Sequence, residues 1–178
     1  MHTNIPKEMR VRLLANRNGR LTTQQYKDVI TAPLATLFLM LTPLIIILGA
    51  RFAVLFTHGL WILLLVGIIA LLVPLVLRAR RYARAPVHFA ILNAGSHPRA
   101  FWLFWKPQVM QTQTGQAVPF RTRLAPYLRL KVNCDYLVYY LEEPDGSILL
   151  SVAPADHPDA ENWRPTSVFN TRFKERAR

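Results

Sequence analysis

Four side chains that could hold a divalent cation stand within residues 156–161: Asp156, His157, Asp159 and Glu161. One imidazole among carboxylates is a thin donor set, because a metal site needs several convergent ligands with supporting contacts behind them. A solvated, proline-punctuated loop, APADHPDAENWRP, is the better reading of this stretch. Cys134, beside Asp135 in an expected turn, is the lone thiol. A nucleophile needs a base within hydrogen-bond reach, and no motif supplies one for Cys134, for Ser96 and His97, or for Ser151. No glycine-rich phosphate loop and no zinc-type cysteine pair occurs. No catalytic residue, metal ligand or cofactor is therefore assigned, and the chain is read as non-enzymatic.

The residues with a pattern are basic and aromatic. Arg78, Arg80, Arg81 and Arg84 follow an apolar block directly. Phe101, Trp102, Phe104 and Trp105 form an aromatic run between Arg99 and Lys106. Aromatics among cations can stack on nucleic acid, anchor in a lipid headgroup layer or fill a core. With the basic groups clustered beside apolar sequence, Arg78, Arg80, Arg81, Arg84, Trp102 and Trp105 are taken as an interface to lipid or to a partner. Nucleic acid is not expected, and no small-molecule substrate is identified.

These residues must be positioned by a chain of two compositional regimes. The 178 residues are 52% hydrophobic and 18% charged, with a formal net charge of +12. Residues 33–77 contain one formal charge, Arg51, and the flanks hold the rest. Leu34 to Ala50 and Leu60 to Leu77 are uncharged, and each approaches the length of a membrane span. Pro43 and Pro74 are expected to bend these helices. Basic residues lie on both sides of the pair, and Arg51 alone lies between, so both termini are placed in the cytoplasm. The segregation predicts an α+β membrane protein: a two-helix transmembrane hairpin followed by a small all-β cytoplasmic domain, barrel-like or a rolled sheet. It predicts location in a bacterial inner membrane as a two-pass protein.

The expected divisions are a basic segment at 1–32, the hairpin at 33–77, a basic linker at 78–86, the β domain at 87–165 and a basic tail at 166–178. Thr22 with Gln25 three residues on reads as a capping box, starting a short interfacial helix near Thr23. Strands are expected at Phe101 to Trp105, Val109 to Thr114, Ala117 to Arg123, Tyr127 to Val132, Tyr136 to Leu141 and Ile148 to Val152. Turns are expected at Thr114-Gly115-Gln116 and Pro144-Asp145-Gly146. Closing these strands into a barrel would remove exposed edges.

The segment NRNGRLTTQQ ahead of two apolar helices, and the ending YLVYYLEEPDGSILLSVAP, resemble a loosely defined group of uncharacterised bacterial two-helix membrane proteins with a small C-terminal β domain. The likeness covers about 30 residues closely and the layout of the chain loosely. It implies architecture rather than chemistry. Similar layouts occur in bacterial pleckstrin-like and oligonucleotide-fold membrane proteins. The reading that follows is an accessory or scaffold subunit of a larger membrane assembly, with membrane lipids (anionic headgroups) and other membrane-protein subunits as partners. The alternative is a stand-alone regulatory protein whose β domain senses anionic lipid or a small ligand.

Overall fold

The structure, a computed structural model, describes residues 5–31, 42, 61–94, 108–125, 128, 130–144 and 146–170. The chain forms two compact units, one of residues 1–25 with 85–178 and one of residues 26–84. Five strands build the first: β1 His88–Asn93, β2 Gln108–Thr112, β3 Ala117–Arg123, β4 Asp135–Leu141 and β5 Ser147–Pro154. They close in the order β1-β2-β3-β5-β4. Every neighbouring pair is antiparallel except β3 with β5, which run parallel. Small five-stranded Greek-key barrels such as the oligonucleotide-binding fold share this architecture, and architecture alone carries no activity.

Closure has local causes. The β2–β3 hairpin turns through Gly115, whose φ of 83° is the left-handed conformation that glycine adopts without penalty. The Gly115 amide donates to the Thr112 carbonyl at 2.9 Å, and the Thr112 amide donates to the Gln116 carbonyl at 2.9 Å. Register shifts between Phe120 and Thr122 and between Tyr139 and Tyr140 bend β3 and β4, as bulges do where a sheet must curl. Gly146, at φ 123°, lets the β4–β5 turn approach β3. A Cβ there would stand 3.3 Å from the Cβ of Arg121.

The interior follows from the register. Leu92 lies opposite Tyr136, Ala90 opposite Val138, and Val138 opposite Val152, so these side chains share a face. Leu92, Met110, Phe120, Tyr136, Val138 and Val152 are all buried. The other face of β4 and β5, where Leu137 meets Ala153 and Tyr139 meets Ser151, is buried as well. Helix α1, Lys7–Asn16, packs on β5 and on a short 3₁₀ turn at Ala160–Trp163. Sandwiched on both sides, β5 is buried at every position, which explains why SILLSVAP carries no charge and only two small hydroxyls, Ser147 and Ser151.

Polar contacts seal this covering. The Asn16 Nδ2 donates to the Ser151 Oγ at 2.7 Å, the Gln25 Nε2 to the Leu150 carbonyl at 3.0 Å, and the Tyr139 hydroxyl to the Trp163 carbonyl at 2.6 Å. Arg12 is buried in α1, and its guanidinium donates to Glu8 at 2.5 Å and to the Leu124 carbonyl. A buried cation is tolerated only when paired and hydrogen-bonded in this way.

The capping box forms. The Gln25 amide donates to the Thr22 Oγ1 at 3.2 Å, and the Thr22 amide to the Gln25 Oε1 at 3.0 Å. Helix α2 occupies 23–31. The second unit holds the rest of α2 and helix α3, Trp61–Arg84. The Tyr26 hydroxyl donates to the Ala79 carbonyl at 2.9 Å, and the Arg78 Nε to the Val29 carbonyl at 3.3 Å.

The expected transmembrane hairpin is corrected by α3. Its first helix and the loop after it fall on 33–59, outside the described residues apart from residue 42. The second apolar block is helical, but among the described residues no helix is long and apolar enough to cross a membrane. The reason lies in where charge begins. The uncharged stretch Trp61–Leu77 rises roughly 25 Å, against a hydrocarbon core of about 30 Å. Pro74 interrupts it, and four arginines complete the helix. The α+β membrane fold, the two-pass transmembrane character and the bacterial inner-membrane location with cytoplasmic termini fall with it.

One strand expectation also changes. Residues 128 and 130–132 carry no strand despite their alternation, and Val132 is exposed. The segment is tied down by single contacts instead. The Arg123 guanidinium donates to the Leu128 carbonyl at 2.9 Å, and the Lys131 amide donates to the Tyr136 hydroxyl at 2.6 Å. The strand expected at Phe101 to Trp105 lies outside the described residues.

Candidate functional site

The sequence pointed to six interface residues, and four of them, the arginines, lie on α3. Arg80, Arg81 and Arg84 are exposed on the last turns of α3. Arg78 is half-buried, with its guanidinium carbon 5.1 Å from the centre of the Tyr82 ring, a cation–π contact. Three of the four arginines are therefore available to an anion, and the fourth is used within the unit. Trp102 and Trp105 lie outside the described residues.

The metal and nucleophile candidates have structural employment. The His157 Nδ1 accepts the Asp159 amide at 3.1 Å, and its ring packs on Trp163 at 4.7 Å. Among the described residues no group of His, Cys, Asp or Glu converges as a metal site. Ser151 is fully buried against Asn16. Cys134 is half-buried, and its carbonyl accepts the Ala94 amide at 3.2 Å.

The barrel wall formed by β2 and β3 differs from the rest. Val109 stands opposite Pro119 and Gln111 opposite Ala117, all four exposed, with Arg121 exposed further along β3. Val109 keeps 48% of its surface. The inward-facing partners Met110 and Phe120 are buried, so the strands alternate between core and open surface. Among the described residues the strands close into a barrel, with β1 and β2 joined only at Leu92–Thr112 and Asn93–Gln111. A macromolecule meeting this wall must recognise side chains.

At one end of the barrel the structure assembles a cluster that the sequence reading missed. His88 of β1 lies opposite Tyr140 of β4 with the rings stacked at 5.4 Å. Phe120 meets Tyr140 edge-on at 5.8 Å. The His88 Nδ1 is 3.3 Å from the Glu142 Oε1. Burial lowers the His88 pKa, with Glu142 pulling it back up, and burial raises that of Tyr140. An imidazole between a carboxylate and a phenol ring can store a pH response. No sequence signal joins residues 88, 120, 140 and 142, because only barrel register brings them together.

This chain is similar to no family model, no curated protein and no solved structure in the comparisons made with it.

Proposed function

We propose that this chain is a non-enzymatic docking protein, an accessory or scaffold subunit of a larger assembly, and that the outer face of β2 and β3 is its docking wall. The observation that carries the reading is the exposed row Val109, Ala117, Pro119 and Arg121 on a barrel whose β4–β5 side is already covered by its own chain. Apolar side chains flanked by an arginine are a common composition for the centre of a protein interface.

The test is the native mass of the protein after gentle extraction, with mass spectrometry of the complex. A stoichiometric complex that Val109→Asp and Arg121→Glu dissolve, while each variant stays folded, is the expected result. A chain that runs at its own mass, or a complex indifferent to both substitutions, refutes the reading.

A second reading, a regulatory protein that senses an anionic ligand, has one supporting observation. Arg80, Arg81 and Arg84 are exposed on a helix without acidic residues. Binding of inorganic pyrophosphate or anionic vesicles that weakens steeply with salt, and that Arg80→Gln with Arg81→Gln abolishes, would favour it over docking.

A further inference from the structure

Asn18 and Gly19 form the only Asn-Gly pair in the chain. Such a pair can modify itself, because glycine has no side chain to hinder its own amide. The Gly19 nitrogen, after giving its proton to base, attacks the Asn18 Cγ. The new nitrogen–carbon bond closes a succinimide ring, the Cγ–Nδ2 bond breaks, and Nδ2 leaves as ammonia. Water then opens the ring at either carbonyl, giving aspartate or isoaspartate.

The fold restrains both reacting groups. Gly19 is buried at φ 68°, and its amide donates to the Asn16 carbonyl at 2.8 Å. The Arg20 amide donates to the Ala15 carbonyl at 3.3 Å. Together these bonds make the Schellman closure that ends α1, and they occupy the nitrogen that would attack. The Asn18 carboxamide is tied at both ends. Its Nδ2 donates to the Leu14 carbonyl at 3.3 Å, and its Oδ1 accepts from the Thr166 hydroxyl at 2.9 Å. Thr166 also grips the main chain, its amide donating to the Arg17 carbonyl at 3.1 Å.

We infer that Asn18–Gly19 is a latent succinimide site that the folded chain suppresses, with Thr166 as its guard. The reaction needs water and base alone, and it proceeds when the turn opens. Conversion runs one way. Isoaspartate adds a methylene to the main chain, which breaks the register of the closure. Either product sets a carboxylate where Nδ2 meets the Leu14 carbonyl, at the negative end of α1. Loss of the closure loosens the α1 cover over β5, so the modification turns a transient opening into a lasting one.

Peptide mapping by mass spectrometry of the purified full chain, incubated in mildly alkaline buffer, reads conversion at Asn18 directly. The folded chain should convert at least about tenfold more slowly than the same chain in guanidinium chloride, since hydrogen bonds hold both the attacking and the attacked group. Thr166→Val, with its native circular dichroism confirmed, should convert about fivefold faster than wild type, the weight of one hydrogen bond, and Thr166→Ser should match wild type. Thr166→Ala gives the same reading should valine not be tolerated. Asn18→Asp, the product made directly, should speed hydrogen exchange in α1 ahead of the barrel strands. Equal rates in the folded and denatured chain overturn the inference, as does a folded Thr166 variant without the hydroxyl that converts at the wild-type rate. No conversion in denaturant removes the site itself, and unchanged α1 exchange in Asn18→Asp removes its consequence.

Discussion

The β4–β5 wall and the β2–β3 wall belong to one barrel and use comparable strands, yet their outward faces have opposite fates. Outside β4 and β5, Leu137, Tyr139, Ser151 and Ala153 are buried beneath α1 and the 3₁₀ turn, with the Asn16–Ser151 and Tyr139–Trp163 hydrogen bonds crossing the contact. Outside β2 and β3, Val109, Gln111, Ala117 and Pro119 meet solvent. The covered wall contributes stability and the open wall is free to contribute recognition. Substitutions of similar size on the two walls should therefore differ by several kcal/mol.

The largest effect is expected at Tyr139. Tyr139→Ala removes a fully buried ring and should cost about 3–5 kcal/mol in chemical denaturation. Tyr139→Phe keeps the ring, loses the bond to Trp163 and should cost about 1 kcal/mol. A Tyr139→Ala loss below about 1 kcal/mol would erase the distinction between the walls. Next comes Asn16, fully buried in α1. Asn16→Ala should cost about 1–3 kcal/mol by leaving Ser151 without its donor. A double-mutant cycle with Ser151→Ala should recover part of that loss, which ties it to the α1–β5 contact.

A smaller effect concerns the His88 cluster. The folded His88 pKa lies below the ordinary value of 6.5, chiefly through burial. The unfolded chain then binds the proton more readily. The stability this group contributes is complete above the ordinary value and is lost as pH falls from it through the depressed folded value. Denaturation midpoints measured between about pH 7.5 and about pH 5 should fall with acid, and His88→Gln should flatten that slope. The smallest effect belongs to the open wall. Val109→Asp should change stability by no more than about 0.5 kcal/mol while abolishing partner binding. A large stability loss there would mean that this wall, too, is covered.

Legibility followed the same division. β3 runs from Ala117 to Arg123, the bounds expected between the Gly115 turn and the break at Leu124 to Pro126, with one face open and one in the core. β1 escaped the reading. Its sequence HFAILN is apolar or aromatic on both faces and lacks a period of two. Helix α1 was hidden for the opposite reason. Its buried face holds Met9, Arg12, Leu13 and Asn16, while Val11 and Leu14 are exposed, so polarity does not report burial. The alternation of Leu128, Leu130 and Val132 misled because register was available for other strands and not for this segment. Of the site, the exposed arginines of α3 were legible from sequence, whereas the open wall and the His88 cluster were not.

The sequence by itself determined the local devices: the Thr22–Gln25 capping box, the Gly115 and Gly146 turns, the span of β3 and the cationic end of α3. Each depends on residues within a few positions of one another, where backbone preference and short-range hydrogen bonds act. Only the tertiary structure decided which strands close the barrel, which wall α1 covers, and that His88, Phe120, Tyr140 and Glu142 meet. Those outcomes join residues dozens of positions apart. They are settled by the competition among faces for burial, which no local pattern encodes.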